Sequence, residues 1–165
     1  MREQTATFIR MFFDKHPQFN PKNVLDVGSL DEDETMRKAL SRGNYIGVDM
    51  RKGPGVDRVV NGHDLVKEFG EDSFDMVMCF DTLEHDDAFW KTVEQMKKVL
   101  KPQGYLLIGV PSNHTPLHRH PMDYWRFMDD SFQVLFDNMN DFYMEIQKDN
   151  PAYEGNDEIY GWGQV

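Results

Sequence analysis

At 165 residues, 39% apolar and 13% aromatic, the chain fits one domain, residues 1–165, with a single sizeable core, and does not read as disordered. A formal charge of −11 opposes tight sequence-independent binding to nucleic acid, which needs lysines and arginines to displace counterions. The single cysteine, Cys79, excludes an intramolecular disulfide framework and a Cys-based zinc site. No apolar run reaches membrane-spanning length and the N-terminus lacks a signal-peptide pattern, so the expectation is a cytoplasmic protein without a membrane partner.

In chain order, Thr5 to Lys15 puts Phe8, Ile9, Phe12 and Phe13 on one helical stripe. Pro17 and Pro21 bound the next loop, and a strand begins near Asn23 and runs through Val24-Leu25-Asp26-Val27 to Gly28. The acids from Asp31 to Glu34 open a helix carrying Met36, Ala39 and Leu40 on one face, with Gly43 as its C-terminal cap. Tyr45 to Asp49 is the second strand, and Val56 to Val60 the third. Phe74 to Phe80 is a continuous apolar run suited to a buried parallel strand. Asp87 to Leu100 carries Phe89, Trp90, Val93, Met96, Val99 and Leu100 at helical spacing, and Tyr105 to Val110 is the fifth strand. Asp129-Asp130-Ser131 caps a helix with Phe132, Leu135, Phe136 and Met139 inside. Asp141 to Lys148 and Glu158 to Gly163 close the chain as an antiparallel pair.

Alternating strands and helices with short connections imply an α/β fold: a doubly wound, mostly parallel seven-stranded sheet ending in an antiparallel pair. Ligands of such sheets bind at the carboxyl ends of the strands, and Gly28 lets a ligand approach the first one. A dinucleotide site needs Gly-x-Gly-x-x-Gly, whereas this turn has one glycine followed by a block of acids that would repel a pyrophosphate. Those acids also suit a helix N-terminus. A ligand without phosphate and with a sulfonium cation, S-adenosylmethionine, escapes the repulsion. Asp49, ending the second strand, can accept both ribose hydroxyl hydrogen bonds or cap its own turn. Asp64 can take an adenine amino group or cap a helix, with Leu65 or Met50 covering a ring face.

From Val24 to Ser112 and on through His120-Pro121-Met122-Asp123-Tyr124-Trp125-Arg126-Phe127, the chain resembles the class I S-adenosylmethionine-dependent methyltransferases, and among them the small type 11 group. The matching pieces are VLDVGS, YIGVDM, GPGVD, HDL, DSFDMVMCFDTLEH, LKPQGYLLIGVPS and HPMDYWRF. The resemblance implies a Rossmann-like methyltransferase fold and cofactor contacts from Asp26, Gly28 and Ser29 to the methionine part. It also implies Asp49 on ribose, Asp64 on adenine, and Phe80 with Asp81 beside the cofactor. The chain departs from the pattern in that Gly28 alone represents the glycine-rich turn.

Methyl transfer from a sulfonium is an in-line displacement, so positioning and desolvation can carry it, and a base is needed only for a hydroxyl or protonated-amine acceptor. The loop from Asn113 to Arg126 leaves the sheet on the ligand side and covers the acceptor. In it, His120 or His118 is the candidate general base with Asp123 orienting the imidazole; the other reading is that these residues only hold the loop. Histidines 114, 118 and 120 with Asp123 invite a metal, but no regular element sets their spacing, and none is assigned. His85 is expected to shape the pocket, and Tyr124, Trp125 and Phe127 to form either a wall or core. The expected partner is a small-molecule or glycan-like acceptor, with the strand pair or aromatic loop available for a homodimer. The competing classes are a silent S-adenosylmethionine-binding module and a nicotinamide-dependent oxidoreductase.

Overall fold

A computed structural model describes residues 3–30, 37, 40, 43–119, 122–148 and 157–165. The strands are β1 (Asn23–Val27), β2 (Asn44–Asp49), β3 (Arg58–Val59), β4 (Phe74–Phe80), β5 (Leu100–Pro111), β6 (Asn140–Gln147) and β7 (Glu158–Gln164). The helices are α1 (Glu3–Lys15), α2 (Leu65–Phe69), α3 (Phe89–Val99) and α4 (Ser131–Leu135). The strands form one seven-stranded sheet in the order β3-β2-β1-β4-β5-β7-β6, with β7 antiparallel to both β5 and β6 and the other pairs parallel.

The period-2 alternation of strand side chains divides the core between the two faces. Met76, Met78 and Phe80 of β4 point to the face covered by α1, where Phe8 and Phe12 pack against Tyr105, Tyr160 and Trp162. Val77 and Cys79 point to the other face, where Val93, Met96 and Val99 of α3 and Phe132 and Leu135 of α4 cover them. Burial, together with nearby Asp26 and Glu84, raises the Cys79 thiol pKa well above its ordinary value, so this cysteine is inert core.

Several elements are shorter than their sequence pattern. The third strand starts at Arg58 rather than Val56 because the Asp57 carboxylate takes the Gly47 N–H (2.8 Å) that would otherwise bond to a strand backbone. The helix after Asp130 ends at Leu135, and Met139 packs on the core from the following turn. Asp130 makes no side-chain cap there; Asp129 accepts the Asp130 N–H instead (3.0 Å). Trp90, placed by spacing on the inner stripe of α3, is 53% exposed and meets Phe89 and Trp125 edge-on. The helix expected from Asp31 lies outside the described residues except at Arg37 and Leu40, and so does His120.

Candidate active site

A cavity of about 410 Å³ opens at the carboxyl ends of β1, β2 and β4, the place where open α/β sheets bind ligands. Gly28 turns the chain out of β1 with φ +81°, and a Cβ there would lie 1.9 Å from Thr82 Oγ1. The glycine is therefore required by its protein neighbour before any ligand is considered. Both N–H groups at this turn are spent, with Gly28 and Ser29 donating to the Val48 carbonyl at 2.8 and 3.0 Å. These two N–H groups are therefore not available to a ligand; the helix N-terminus that would complete a phosphate cradle lies outside the described residues.

Asp49, at the end of β2, is on the wall and half-buried. Its Oδ1 accepts the Arg51 N–H (2.8 Å), which leaves Oδ2 for a ligand hydroxyl. Met50 flanks it, 68% exposed. Beyond β3 the wall is Asn61 and Gly62; Asp64 is exposed and Leu65 is fully buried in the core, so neither faces the cavity. A 3-10 turn at 62–64 rotates them away, and its cap is Asn61, whose side chain accepts the His63 N–H (2.9 Å). Asp81 is on the wall with φ +49°, whereas Phe80 packs against Phe8 on the far face. Asp26 lies buried beneath the wall, accepting the Tyr45 hydroxyl. Ser29 is also buried, and its Oγ has no partner among the described residues.

Asp86 is a wall residue that strand-end reasoning missed. It joins the pieces behind the cavity, accepting the Ala88 N–H (2.9 Å) and the Thr92 hydroxyl (2.5 Å) and meeting His63 Nε2 at 3.0 Å. A Cβ on Gly62 would lie 2.6 Å from that same Thr92 hydroxyl, so the β3 loop and α3 meet at contact distance. The spacing Asp86-x-Ala88, an acid two residues before a helix entry, was the available signal.

At the opposite end, His85, Met122 and Tyr124 close the cavity. Trp125 instead sends its indole N–H to the Asp86 carbonyl (2.8 Å), and Phe127 is core. The Tyr124 and Trp125 N–H groups both donate to the Glu84 carbonyl (2.8 and 3.3 Å), which ties the long loop to the short turn Leu83–His85. Asp123 makes no hydrogen bond to the His118 imidazole; His120 lies outside the described residues. Asp123 accepts the His118 backbone N–H (2.7 Å) and both terminal nitrogens of Arg126, and this guanidinium holds its pKa down at about 2 against the opposing effect of burial. The carboxylate beside the His118 imidazole is Glu84, with Oε1 3.3 Å from Nε2; that contact raises the His118 pKa, more than burial lowers it. His118 itself is not on the cavity wall.

The sheet order and this strand-end cavity define a nucleoside-binding α/β domain. The chain belongs to the methyltransferase-domain family, whose pattern matches residues 1–140, and its architecture is that of class I S-adenosylmethionine-dependent methyltransferases. Its fold is similar to a S-adenosylmethionine-dependent methyltransferase from Archaeoglobus fulgidus (TM-score 0.72, 12% identity, 97% of this chain and 94% of that one). It is also similar to the N-methyltransferase NodS from Bradyrhizobium japonicum (0.71, 13%, 99% and 94%). A third is 1,6-didemethyltoxoflavin-N1-methyltransferase from Burkholderia thailandensis, solved with its acceptor and S-adenosylhomocysteine (0.70, 17%, 96% and 77%). No curated protein sequence matches the chain significantly.

Proposed function

We propose that this chain transfers a methyl group from S-adenosylmethionine to a small-molecule acceptor. The observation that carries the reading is Asp49, held on the wall of the strand-end cavity with one carboxylate oxygen available to a ribose hydroxyl. The residues fit the cofactor. The cavity volume falls within the range of small-ligand sites, and its wall carries carboxylates at Asp49, Asp81 and Asp86 that suit a sulfonium cation. When bound, the cofactor supplies a methyl group activated on a sulfonium sulfur.

The chain's own residues then divide the work. Asp49 takes the ribose, Met50, Asn61 and Gly62 border the adenine, and Gly28, Thr82 and Asp81 border the methionine part. His85, Met122 and Tyr124 face the acceptor and exclude water from it. Most of the rate comes from this positioning. Where the acceptor must lose a proton, the group placed to receive it is the cluster of Glu84, His85 and His118, of which His85 reaches the wall. His120, the other base candidate, is the position to substitute. A protruding or small acceptor fits the end of the cavity formed by His85, Met122 and Tyr124.

Calorimetry with S-adenosylmethionine, S-adenosylhomocysteine and NAD tests the reading. The first two should bind and NAD should not, and Asp49→Ala should weaken binding at least about tenfold, the loss of a hydrogen bond to a charged acceptor. His120→Ala should leave binding unchanged, and a fall in turnover would identify a base. Binding of NAD, or an Asp49→Ala variant that binds like the parent, would sink the assignment.

A further inference from the structure

Glu84 and His85 leave the turn after β4 side by side, and the loop after β5 brings His118 back to them. One ligating atom from each lies within 4.8 Å of the other two, with Glu84 Oε1 3.3 Å from His118 Nε2 and 3.6 Å from His85 Nε2. We propose that Glu84, His85 and His118 bind a divalent transition-metal ion, zinc first among them, with a coordination position left open toward the cavity.

Burial makes the first argument. Glu84 is fully buried, and its Oε2 has no partner among the described residues. A carboxylate in that state carries a large desolvation cost unless a cation neutralises it. The second argument is the tautomer of His85. Its Nδ1 donates to the Met122 carbonyl (2.5 Å), which leaves a lone pair on Nε2. That lone pair faces a carboxylate oxygen, and two electron-rich atoms take such positions when a cation lies between them. A backbone carbonyl on the distal nitrogen is also the usual support of a metal-bound histidine.

His118 is free to join. Arg126 lies 3.3 Å from its Nδ1, but that guanidinium already donates to Thr115, Pro116 and Trp125 carbonyls and to both Asp123 oxygens, which uses all its N–H groups. The backbone is fixed in advance, by Asp123 on the His118 N–H and by the Tyr124 and Trp125 N–H groups on Glu84. Two imidazole nitrogens and one carboxylate oxygen are the donor set of open, three-ligand zinc sites, and with the only cysteine buried in the core, no thiolate competes. Because His85 lies on the wall, the site adjoins the acceptor end of the cavity. Its use there, holding the acceptor's heteroatom, rests on the methyltransferase reading and replaces the cluster's role as proton acceptor, since a ligated imidazole nitrogen takes no proton; the ion site itself does not rest on that reading.

The competing occupant is a proton shared among the three side chains. Tag-free full-length protein, stripped with a chelator, is titrated with zinc by calorimetry and with cobalt by visible absorption. A single stoichiometric site with tetrahedral or five-coordinate cobalt absorption is expected. His118→Ala and Glu84→Gln should each weaken it at least about tenfold, while His114→Ala, outside the cluster, should leave it unchanged. Circular dichroism checks the buried Glu84→Gln variant; if it fails to fold, the partly exposed His118→Ala decides alone. Absence of stoichiometric binding to the parent, or binding indifferent to His118→Ala, overturns the site in favour of the proton. S-adenosylmethionine binding measured on the same samples separates the two readings: cofactor without metal sinks only the ion site, and metal without cofactor sinks only the methyltransferase assignment.

Discussion

Gly28 shows how one missing atom shapes a wall. Its φ of +81° is costly for any residue with a Cβ, and that Cβ would strike Thr82, whose hydroxyl is anchored on the Phe80 carbonyl (2.8 Å). Gly28→Ala should cost about 1–3 kcal/mol in urea unfolding. Adding Thr82→Ala should recover the steric part and leave the backbone part, so the double variant should lie between the parent and the single one. Full stability in Gly28→Ala alone would show that the turn is not strained. At this scale Asp49 and Gly28 were legible because each ends a strand. Asn61, Thr82 and Asp86 were not, because their places on the wall depend on how separate turns meet.

Asp75 belongs to the elements. It stands in β4, accepts the N–H groups of Lys22 and Asn23 at the start of β1 (2.9 and 2.7 Å), and pairs with Lys101 in β5 (2.9 Å). Burial pushes its pKa up, but the lysine and the two backbone donors outweigh that and leave it lowered. The stabilisation is therefore fully present above the unfolded carboxylate range near about pH 4 and fades as the pH falls through the lowered folded value. Asp75→Asn should flatten thermal stability against pH in that acid window, and an unchanged slope would dismiss the staple. Helix α1 is held by rings: Phe12 is fully buried against Phe13, Phe19, Tyr105 and Trp162. Phe12→Ala should cost about 3–5 kcal/mol by equilibrium unfolding, the range for emptying a buried aromatic position. A loss below ~1 kcal/mol would mean that the helix is peripheral to the fold. The helix was plain in the sequence because its apolar stripe repeats at helical spacing. Its partners on β5 and β7 lie far along the chain and could not be read from it.

The whole molecule carries a formal charge of −11, and Asp49, Asp81 and Asp86 bring part of it to the cavity. Such a field draws a sulfonium cation and repels phosphates. The affinity for S-adenosylmethionine should therefore fall with added salt more steeply than that for S-adenosylhomocysteine, which lacks the sulfonium charge. Equal salt slopes would locate the discrimination in short-range contacts instead. Among the described residues no helix is long and apolar enough to cross a membrane.

Local chemistry settled the class of this protein. Apolar runs of period 2 and helical stripes of period 3.6 are properties of neighbouring residues, and they sufficed for the sheet; the cofactor was read from the lone-glycine turn, the strand-end acids and the family resemblance of the motifs together. The acceptor end was decided by contacts across the chain. Asp123 and His118 are close in sequence, but Arg126 captures the carboxylate, and the buried Glu84, 34 positions away, takes the imidazole. No periodicity encodes which of several acids reaches a given histidine. That choice is made when the sheet brings the loop after β5 down upon the turn after β4, where burial makes the partner of each charge decisive.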